Sequence, residues 1–436
     1  MWGKRAIVQK SMAALGFAVL VGAAACTNAG GGAGGAYVPL AAGDSVASGA
    51  DTNPSGSSTG EGNLATSLGV SALAPGGNFG GTTLDGAWSI TFNNWSDWTK
   101  ATAAVGPNSA SIDFPSRTEH PDYEAADCSV TTKATIYVEF SHSGELAVGW
   151  RSSQSTFSPT CWNQYAGKGF SLLFLARRTA AGTGQMGALA GEWDVDAQGG
   201  PCHLRIGPQG LEGCLNLASE PIIATASGST VSGHFALDNG KVEFAAQRTA
   251  PAAVVNSLGM APLVTQAYQP GALAGDWSVK FANWSNYATG DATIAGRLLA
   301  IKFPAAINTY DGYDCGTVTS NMSLWVETAA AGDLAVVSGF KSMSYSQPDS
   351  GPCSPRSEHQ PLAVLRRTSA GVGQFGSIAG KYDVWNDDGG PTCSFETGAA
   401  GMTGCAATNS AFTAVQDGPA ISGKLGAEVS YTAFHK

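Results

Sequence analysis

The sequence predicts an all-β protein, a tandem duplication of small antiparallel β-barrel or meander modules that are stapled by disulfides. The first observation is a long repeat, in which residues 84–249 recur in order at 273–434. The second is a series of short alternating apolar runs separated by Gly, Asn, Asp and Pro, the pattern of antiparallel strands. The third is a matched quartet of cysteines in each copy, which is typical of small extracytoplasmic domains.

Each copy of the repeat divides again, because one opening motif occurs four times in the chain. It reads LDGAW at 84–88, LAGEW at 189–193, LAGDW at 273–277 and IAGKY at 378–382. The first three segments also close alike, with RRT, QRT and RRT. We therefore predict four β-modules in two pairs, joined by a linker at 250–272, with bounds 84–180, 189–249, 273–369 and 378–434.

The chain opens with an export-signal pattern, a basic start followed by an apolar run that ends at Ala25. This run is shorter than the roughly 20 residues that a membrane-spanning helix needs. The next residues, Ala-Ala-Ala-Cys at 23–26, resemble the lipobox of bacterial lipoproteins, although that family usually has Leu where Ala23 stands. The resemblance implies a signal peptide over 1–25 and lipidation of Cys26. Thr27, rather than Asp, after the cysteine then implies sorting to the outer membrane.

One alternative to a lipid anchor bears on Cys26. Ordinary cleavage after Ala25 would leave it as a free thiol, the ninth cysteine beside two matched quartets. An unpaired thiol is unfavourable in an oxidising compartment, so we prefer lipidation. Residues 26–83, rich in Gly, Ala, Ser and Thr, then form a lipid-anchored flexible tether that holds the modules away from the membrane.

Charge limits the partners of this chain. Charged residues make up 13% of the sequence, the net charge is −10, and no run of Lys and Arg occurs. Binding to nucleic acid needs clustered cations that neutralise phosphates, so we predict no nucleic-acid partner. Electrostatic docking on anionic lipid is disfavoured for the same reason.

The cysteine spacing predicts four disulfides. The modules of about 60 residues would be marginally stable without a staple, and each bridge contributes about 2–4 kcal/mol. Sequence alone allows three connectivities per quartet. A four-cysteine metal site is the competing interpretation, but it lacks any CxxC spacing, and we predict neither a metal nor a cofactor. The expected pairs are Cys128–Cys161, Cys202–Cys214, Cys315–Cys353 and Cys393–Cys405.

Several catalytic motifs occur without the context that they need. GTGQMG at 182–187 and GVGQFG at 371–376 match a dinucleotide-binding pattern, but a β-module opening follows each of them instead of a helix. GDSVASG at 43–49 resembles the nucleophile block of GDS-type esterases, yet it lies in the tether and no late Asp-x-x-His pair follows. The six histidines occupy no equivalent positions in the two copies, so a shared base cannot be His. We predict a non-catalytic protein, with a carboxylate-dependent hydrolase as the less favoured alternative.

The strongest binding candidates are the aromatic-amide segments FNNWSDW at 92–98 and FANWSNY at 281–287. Aromatic faces stack on apolar sugar faces, and neighbouring amides bond to hydroxyls, so these segments suit a glycan. The alternative is that Trp95 and Trp284 plug the open end of a small barrel, and the exposure of Trp98 and Tyr287 is left open. The predicted ligand-binding residues are Asn94, Trp95, Asp97, Trp98, Asn283, Trp284, Asn286 and Tyr287.

The smaller module at 189–249 resembles small bacterial metalloprotease-inhibitor barrels, through LAGEW at 189–193 followed by Cys202 and Cys214. The Gly-x-Trp opening is shared with lipocalin-like and avidin-like barrels, so it indicates barrel geometry more than activity.

The sequence as a whole predicts a lipid-anchored envelope protein in the outer membrane, with a binding or structural role. Its partner would be a glycan or an envelope protein, and protease inhibition is an alternative.

Overall fold

The computed structural model describes residues 58–74, 84–120, 127–161, 167–197, 200–213, 222–237, 240–284, 287–309, 316–347, 353–386, 390–405, 411–426 and 429–436. The fold is all-β, as predicted, with two tandem antiparallel barrels of twelve strands each. Within the described part of the chain before the first barrel, residues Ser58–Leu68 form a helix, α1.

The strands of the first barrel follow one another around its wall. They are β1 (Gly86–Asn93), β2 (Lys100–Val105), β3 (Ser109–Asp113), β4 (Arg117–Glu119), β5 (Val130–Phe140), β6 (Leu146–Phe157), β7 (Gly167–Ala181), β8 (Gly191–Ala197), β9 (Gly200–Gly207), β10 (Gly210–Gly213), β11 (Ile222–Ser227), β12 (Thr230–Leu237) and β13 (Gly240–Ala250). The ring closes where β13 pairs with β1 and β3 pairs with β5, and the short β4 extends β3 along β5.

The second barrel repeats this order. Its strands are β14 (Gly275–Ala282), β15 (Thr289–Ala295), β16 (Leu298–Lys302), β17 (Ala306–Thr309), β18 (Thr317–Thr328), β19 (Leu334–Tyr345), β20 (Arg356–Ala370), β21 (Gly380–Asn386), β22 (Gly390–Gly398), β23 (Gly401–Cys405), β24 (Ala411–Asp417), β25 (Ala420–Leu425) and β26 (Val429–His435). Here β26 pairs with β14, and β16 pairs with β18.

The predicted modules of each copy share one ring. Residues 84–180 supply β1 to β7, residues 189–249 supply β8 to β13, and the two sets join where β7 pairs with β8 and β13 pairs with β1. Either half alone would expose two strand edges, and closure into a ring removes both. The GTGQMG segment is the turn between the halves, and it ends in a 3-10 turn at Gly187–Leu189 instead of an α-helix.

The repeated opening motif is a local clamp at the seam between half-barrels. The indole of Trp193 donates to the carbonyl oxygen of Leu189 at 3.0 Å, and the guanidinium of Arg178, from the closing motif of the preceding segment, lies 5.5 Å from the ring centroid. Gly191 has φ +144°, and a Cβ there would overlap the carbonyl oxygen of Ala180, so the position requires glycine. The other three copies repeat the hydrogen bond, with Trp88, Trp277 and Tyr382 bonded to Leu84, Leu273 and Ile378.

The two barrels meet in a buried interface with approximate twofold symmetry. Arg366 of the second barrel donates to both oxygens of Glu139 at 2.6 and 2.7 Å. The equivalent residues exchange the reciprocal bond, since Arg177 of the first barrel donates to both oxygens of Glu327. A residue pair that recurs with its barrels exchanged is the mark of an isologous contact, as in a twofold dimer.

A second reciprocal pair flanks these bridges. The backbone N–H of His142 donates to Asp333 at 2.8 Å, and that of Ala330 donates to Glu145 at 2.6 Å. Asp333 also contacts Nδ1 of His142 at 2.6 Å. Apolar residues from both barrels, such as Trp150 and Val336, fill the space around the ion pairs. The tandem copies therefore pack as a single unit through equivalent surfaces.

The segments before each barrel cross to the other barrel. Helix α1 packs Ala65 beside Trp325 of the second barrel, and Glu61 binds Arg297 there at 3.1 Å. The linker before the second barrel instead reaches the first, where Asn256 donates to Asp113 at 3.0 Å. The tether predicted over 26–83 is thus regular and packed over part of its length, because a small apolar face on α1 is buried against β16 and β18.

One predicted disulfide is confirmed, Cys128–Cys161, with an S–S distance of 2.07 Å. Cys202, Cys353 and Cys393 are also disulfide-bonded. Their expected partners lie among the residues or side chains that the structure does not describe, so these three pairings stay predictions; the partners are Cys214, Cys315 and Cys405. Cys26 lies outside the described residues as well.

Candidate functional site

The first predicted ligand-binding segment forms a tight corner after β1. A hydrogen bond of 2.9 Å from the backbone N–H of Phe92 to the carbonyl oxygen of Thr99 closes the loop. Trp95, 5% exposed, turns into the barrel, and Trp98, 4% exposed, donates its indole N–H to the carbonyl oxygen of Pro115. The centroid of the Trp95 ring lies within 5.0–5.9 Å of four aromatic rings, those of Phe92, Trp98, Phe114 and Phe235. These rings form an aromatic plug at this end of the first barrel.

The second segment repeats the corner after β14. Trp284 lies 4.8 Å from Phe281 and 5.4 Å from Phe303 between ring centroids, and Tyr287 is 8% exposed. Asn286 lies outside the described residues. The interpretation of Trp95 and Trp284 as plugs fits this geometry, and it extends to Trp98 and Tyr287, whose faces lie against neighbouring rings.

The exposed groups of the corners are polar. Asn94 and Asn283 both have left-handed backbone, with φ of 62° and 61°, and both are exposed. Asparagine tolerates this conformation better than most residues, which explains its presence at the tip of each corner. Asp97 is held instead by Arg117, whose Nη1 lies 2.5 Å from its carboxylate oxygen. The glycan prediction for these residues therefore depends on the amides, since the rings are committed to the barrel core.

A polar groove of about 300 Å³ lies beside the first corner, on the outer face of β1, β13 and β12. The strand register places Asn93, Glu243 and His234 in one row across these three strands. A second row of Thr91, Ala245 and Ser232 carries only short side chains and forms the depression. Neighbouring strands are about 4.8 Å apart, so the amide, carboxylate and imidazole form a row of polar groups at that spacing across the outer face.

The second barrel has no matching row. The equivalent register positions carry Ala282, Ser430 and Lys424 in place of the amide, carboxylate and imidazole. Sequence reasoning missed this groove because its residues are distant in the chain and none belongs to a motif. The departure of the two copies at these positions is the signal that could have marked the site.

A second feature that sequence reasoning missed is Arg151, on β6 of the first barrel. Its neighbours Trp150 and Ser152 face outward, and its register partner Ile136 belongs to the interior core, so Arg151 points into the barrel. The residue is 6% exposed, and burial lowers the pKa of its guanidinium to about 10. The alternation of the strand sequence carried the signal, because an arginine stands at a core-facing position.

The remaining predicted features have no described site of their own. Among the residues that the structure covers, no group of three His, Cys, Asp or Glu side chains could hold a metal ion. Within the same residues, no helix is long and apolar enough to cross a membrane. The segment that resembles metalloprotease inhibitors starts at Leu189, directly after the turn from β7, and β8 is paired on both sides within the ring.

Comparison with known proteins gives little to set beside this geometry. No protein-family profile matches the chain, and no curated protein matches it. Among solved structures, the chain is similar to a double mutant of the vaccine antigen transferrin binding protein B from Haemophilus parasuis, with 10% identity. That match covers 80% of this chain and 74% of the other, with a TM-score of 0.15, which is too low to indicate a shared fold.

Proposed function

We propose that the protein is a non-catalytic, lipid-anchored binding protein of the cell envelope that recognises a neutral glycan. The observation that carries the proposal is the polar groove beside the first corner, with its row of Asn93, Glu243 and His234. Amide, carboxylate and imidazole groups donate to and accept from sugar hydroxyls, and Ala245 offers a small apolar contact between them. The exposed amide of Asn94 extends this surface around the corner.

The interface between the barrels supports a binding role for the unit as a whole. Reciprocal buried ion pairs fix the first barrel on the second, so the groove is carried on a rigid body of two barrels. Lipidation of Cys26 would place this body on the outer membrane, separated from it by residues 27–57. The mature N-terminal peptide, analysed by mass spectrometry, should carry acyl chains on Cys26 and lose them in Cys26→Ser.

The groove is tested by retention of the full chain, in neutral detergent, on insoluble polysaccharides and peptidoglycan. Asn93→Ala/Glu243→Ala removes two hydrogen-bonding groups from exposed positions and should weaken retention on the order of tenfold. Asn94→Gly keeps the left-handed backbone and removes only the amide, so it separates a contact from a folding defect. Ser430→Ala, at the position equivalent to Glu243 in the second barrel, is the matched control.

Retention of the wild type and of Ser430→Ala, with loss in Asn93→Ala/Glu243→Ala, supports the glycan groove. Absence of retention on every polymer, or equal retention of the groove variant, contradicts it. Folding of each variant is checked by far-ultraviolet circular dichroism, so that a lost site is distinguished from a lost barrel.

A further inference from the structure

The interior of the first barrel contains a cation that has no counterion among the residues described. The Nε and Nη1 atoms of Arg151 are fully buried and have no hydrogen-bond partner among the described residues. The other buried arginines of the barrels and their interface have identified partners: Arg177 binds Glu327, Arg178 binds the carbonyl oxygen of Ala190, Arg366 binds Glu139, and Arg367 binds Tyr382. Arg151 alone of these five leaves two buried donors without an acceptor.

No carboxylate compensates this charge in the described part of the barrel. Burial is the one cause of the lowered pKa of Arg151, with no contribution from an acidic neighbour, and a pKa of about 10 leaves the group cationic at neutral pH. An isolated buried cation is strongly unfavourable unless an anion accompanies it. The barrel has thus retained a group that destabilises it in the absence of a partner.

The inner wall of the barrel becomes polar beside Arg151. Toward one end of the barrel, the inward-facing positions of β5 and β6 change from apolar to hydroxyl residues, with Thr132 and Ser155 3.3 Å apart between their oxygens. Both are half-buried, as is Ser153 between them and Arg151. The backbone N–H of Phe114, whose ring belongs to the aromatic plug, donates to the carbonyl oxygen of Ala134 on β5, so this end of the barrel also carries the plug. Arg151 therefore lies four residues along β6 from Ser155, below the half-buried hydroxyls of this end.

The second barrel lacks this arrangement. Its strand register aligns Gly339 with Arg151, since Leu324 and Gly339 pair there as Ile136 and Arg151 do in the first barrel. A Cβ at Gly339 would lie 3.2 Å from the side chain of Leu362 and 3.3 Å from that of Leu324, so leucines fill the equivalent space. The cation is a specific feature of the first copy and not a requirement of the fold.

We propose that the first barrel binds a small organic carboxylate at its hydroxyl-rimmed end, with the carboxylate held by the Arg151 guanidinium. The planar guanidinium can hold a carboxylate along its Nε–Nη2 edge, the edge that Arg177 and Arg366 use for their carboxylates, and this pairs the Nε donor. Nη1 lies on the other edge and can donate to a hydroxyl of the ligand. Hydroxyls of the rim accept or donate hydrogen bonds to the rest of the ligand, and the plug supplies apolar contact. Arg151 projects into the barrel from β6, whereas the glycan groove lies on the outer face of β1, β12 and β13.

The test is isothermal titration calorimetry of the full chain in neutral detergent with benzoate, hexanoate and glucuronate. Benzamide, hexanamide and glucose serve as the uncharged counterparts, and inorganic phosphate as a different oxyanion. Arg151→Met removes the charge at similar volume and should weaken carboxylate binding roughly 10- to 100-fold. Arg205→Met, at an exposed arginine of β9, is the matched control.

Saturable binding of one of the carboxylates but not of its neutral counterpart, lost in Arg151→Met and kept in Arg205→Met, supports the proposal. Absence of binding by all three carboxylates, binding of phosphate alone, or equal binding by Arg151→Met overturns it. Arg151→Met should also keep or raise the Tm of the ligand-free protein, because the unpaired charge is removed. Asn93→Ala/Glu243→Ala should bind the carboxylate unchanged, so this site and the glycan groove can fail separately.

Discussion

Replacement of Arg366 by methionine should destabilise the protein by about 3–5 kcal/mol, the usual cost of leaving a buried charge without its partner. Arg366 is 0% exposed and Glu139 is 2% exposed, so water cannot solvate the carboxylate that remains. Methionine has a similar length, which keeps the cavity small and assigns the loss mainly to the ion pair. For a barrel of this size, each kcal/mol lowers Tm by about 2–4 °C, so a decrease of about 6–20 °C is expected.

The assay is thermal and urea unfolding followed by circular dichroism and tryptophan fluorescence. The double variant Arg366→Met/Glu139→Met should recover most of the loss, because an apolar pair of similar volume replaces a buried ion pair at little cost. Lys381→Met is the control, since it removes an exposed ion pair with Glu396 at 3.4 Å and should change stability by less than about 1 kcal/mol. An Arg366→Met variant within about 1 kcal/mol of the wild type, or a double variant as unstable as the single one, would refute the reasoning.

Three further predictions concern the interface, the seam and the plug. The hydrogen bond with Asp333 raises the pKa of His142, so its stabilising contribution is complete below the unfolded value of about 6.5 and is lost as pH rises through the folded value. His142→Gln should therefore lower Tm more at about pH 5.5 than at about pH 9, and an equal effect at both would contradict this. Gly191→Ala should cost more than about 2 kcal/mol in urea unfolding, whereas Gly228→Ala, also at positive φ but in open space, should cost about 1 kcal/mol. Trp98→Ala should lower stability by about 3–5 kcal/mol, and a variant with wild-type Tm would show that the ring is not part of the core.

Local pattern was sufficient for the all-β class, the barrel geometry of the Gly-x-Trp openings and the Cys128–Cys161 pair. The alternation of apolar and polar residues in a strand and the residues of a turn can both be recognised within a few consecutive positions. The repeat shows the same pattern a second time and so strengthens the prediction. The burial of Trp95 at the end of the barrel could also be predicted from the sequence, because this residue follows the core-facing residues Trp88 and Phe92 at the end of a strand. Helix α1 could not be predicted from the sequence, since residues 58–68 are rich in Gly, Ser and Thr and the helix is stabilised by packing on the second barrel.

The sequence by itself determined that this protein is a duplicated, disulfide-bonded β-protein with inward-facing tryptophans, because period and repetition are properties of the chain. Only the tertiary structure decided that two segments close into one ring, since ring closure joins β1 to β13, whose paired residues are 150 or more positions apart. It also decided the reciprocal pairing of Arg366 with Glu139, separated by 227 positions. In the sequence, charged residues at alternating positions of a strand indicate a solvent-facing side, whereas in the structure the interface between the barrels buries these residues. The unpaired state of Arg151 was likewise visible only once its neighbours were placed, because the absence of a partner is a property of three-dimensional surroundings.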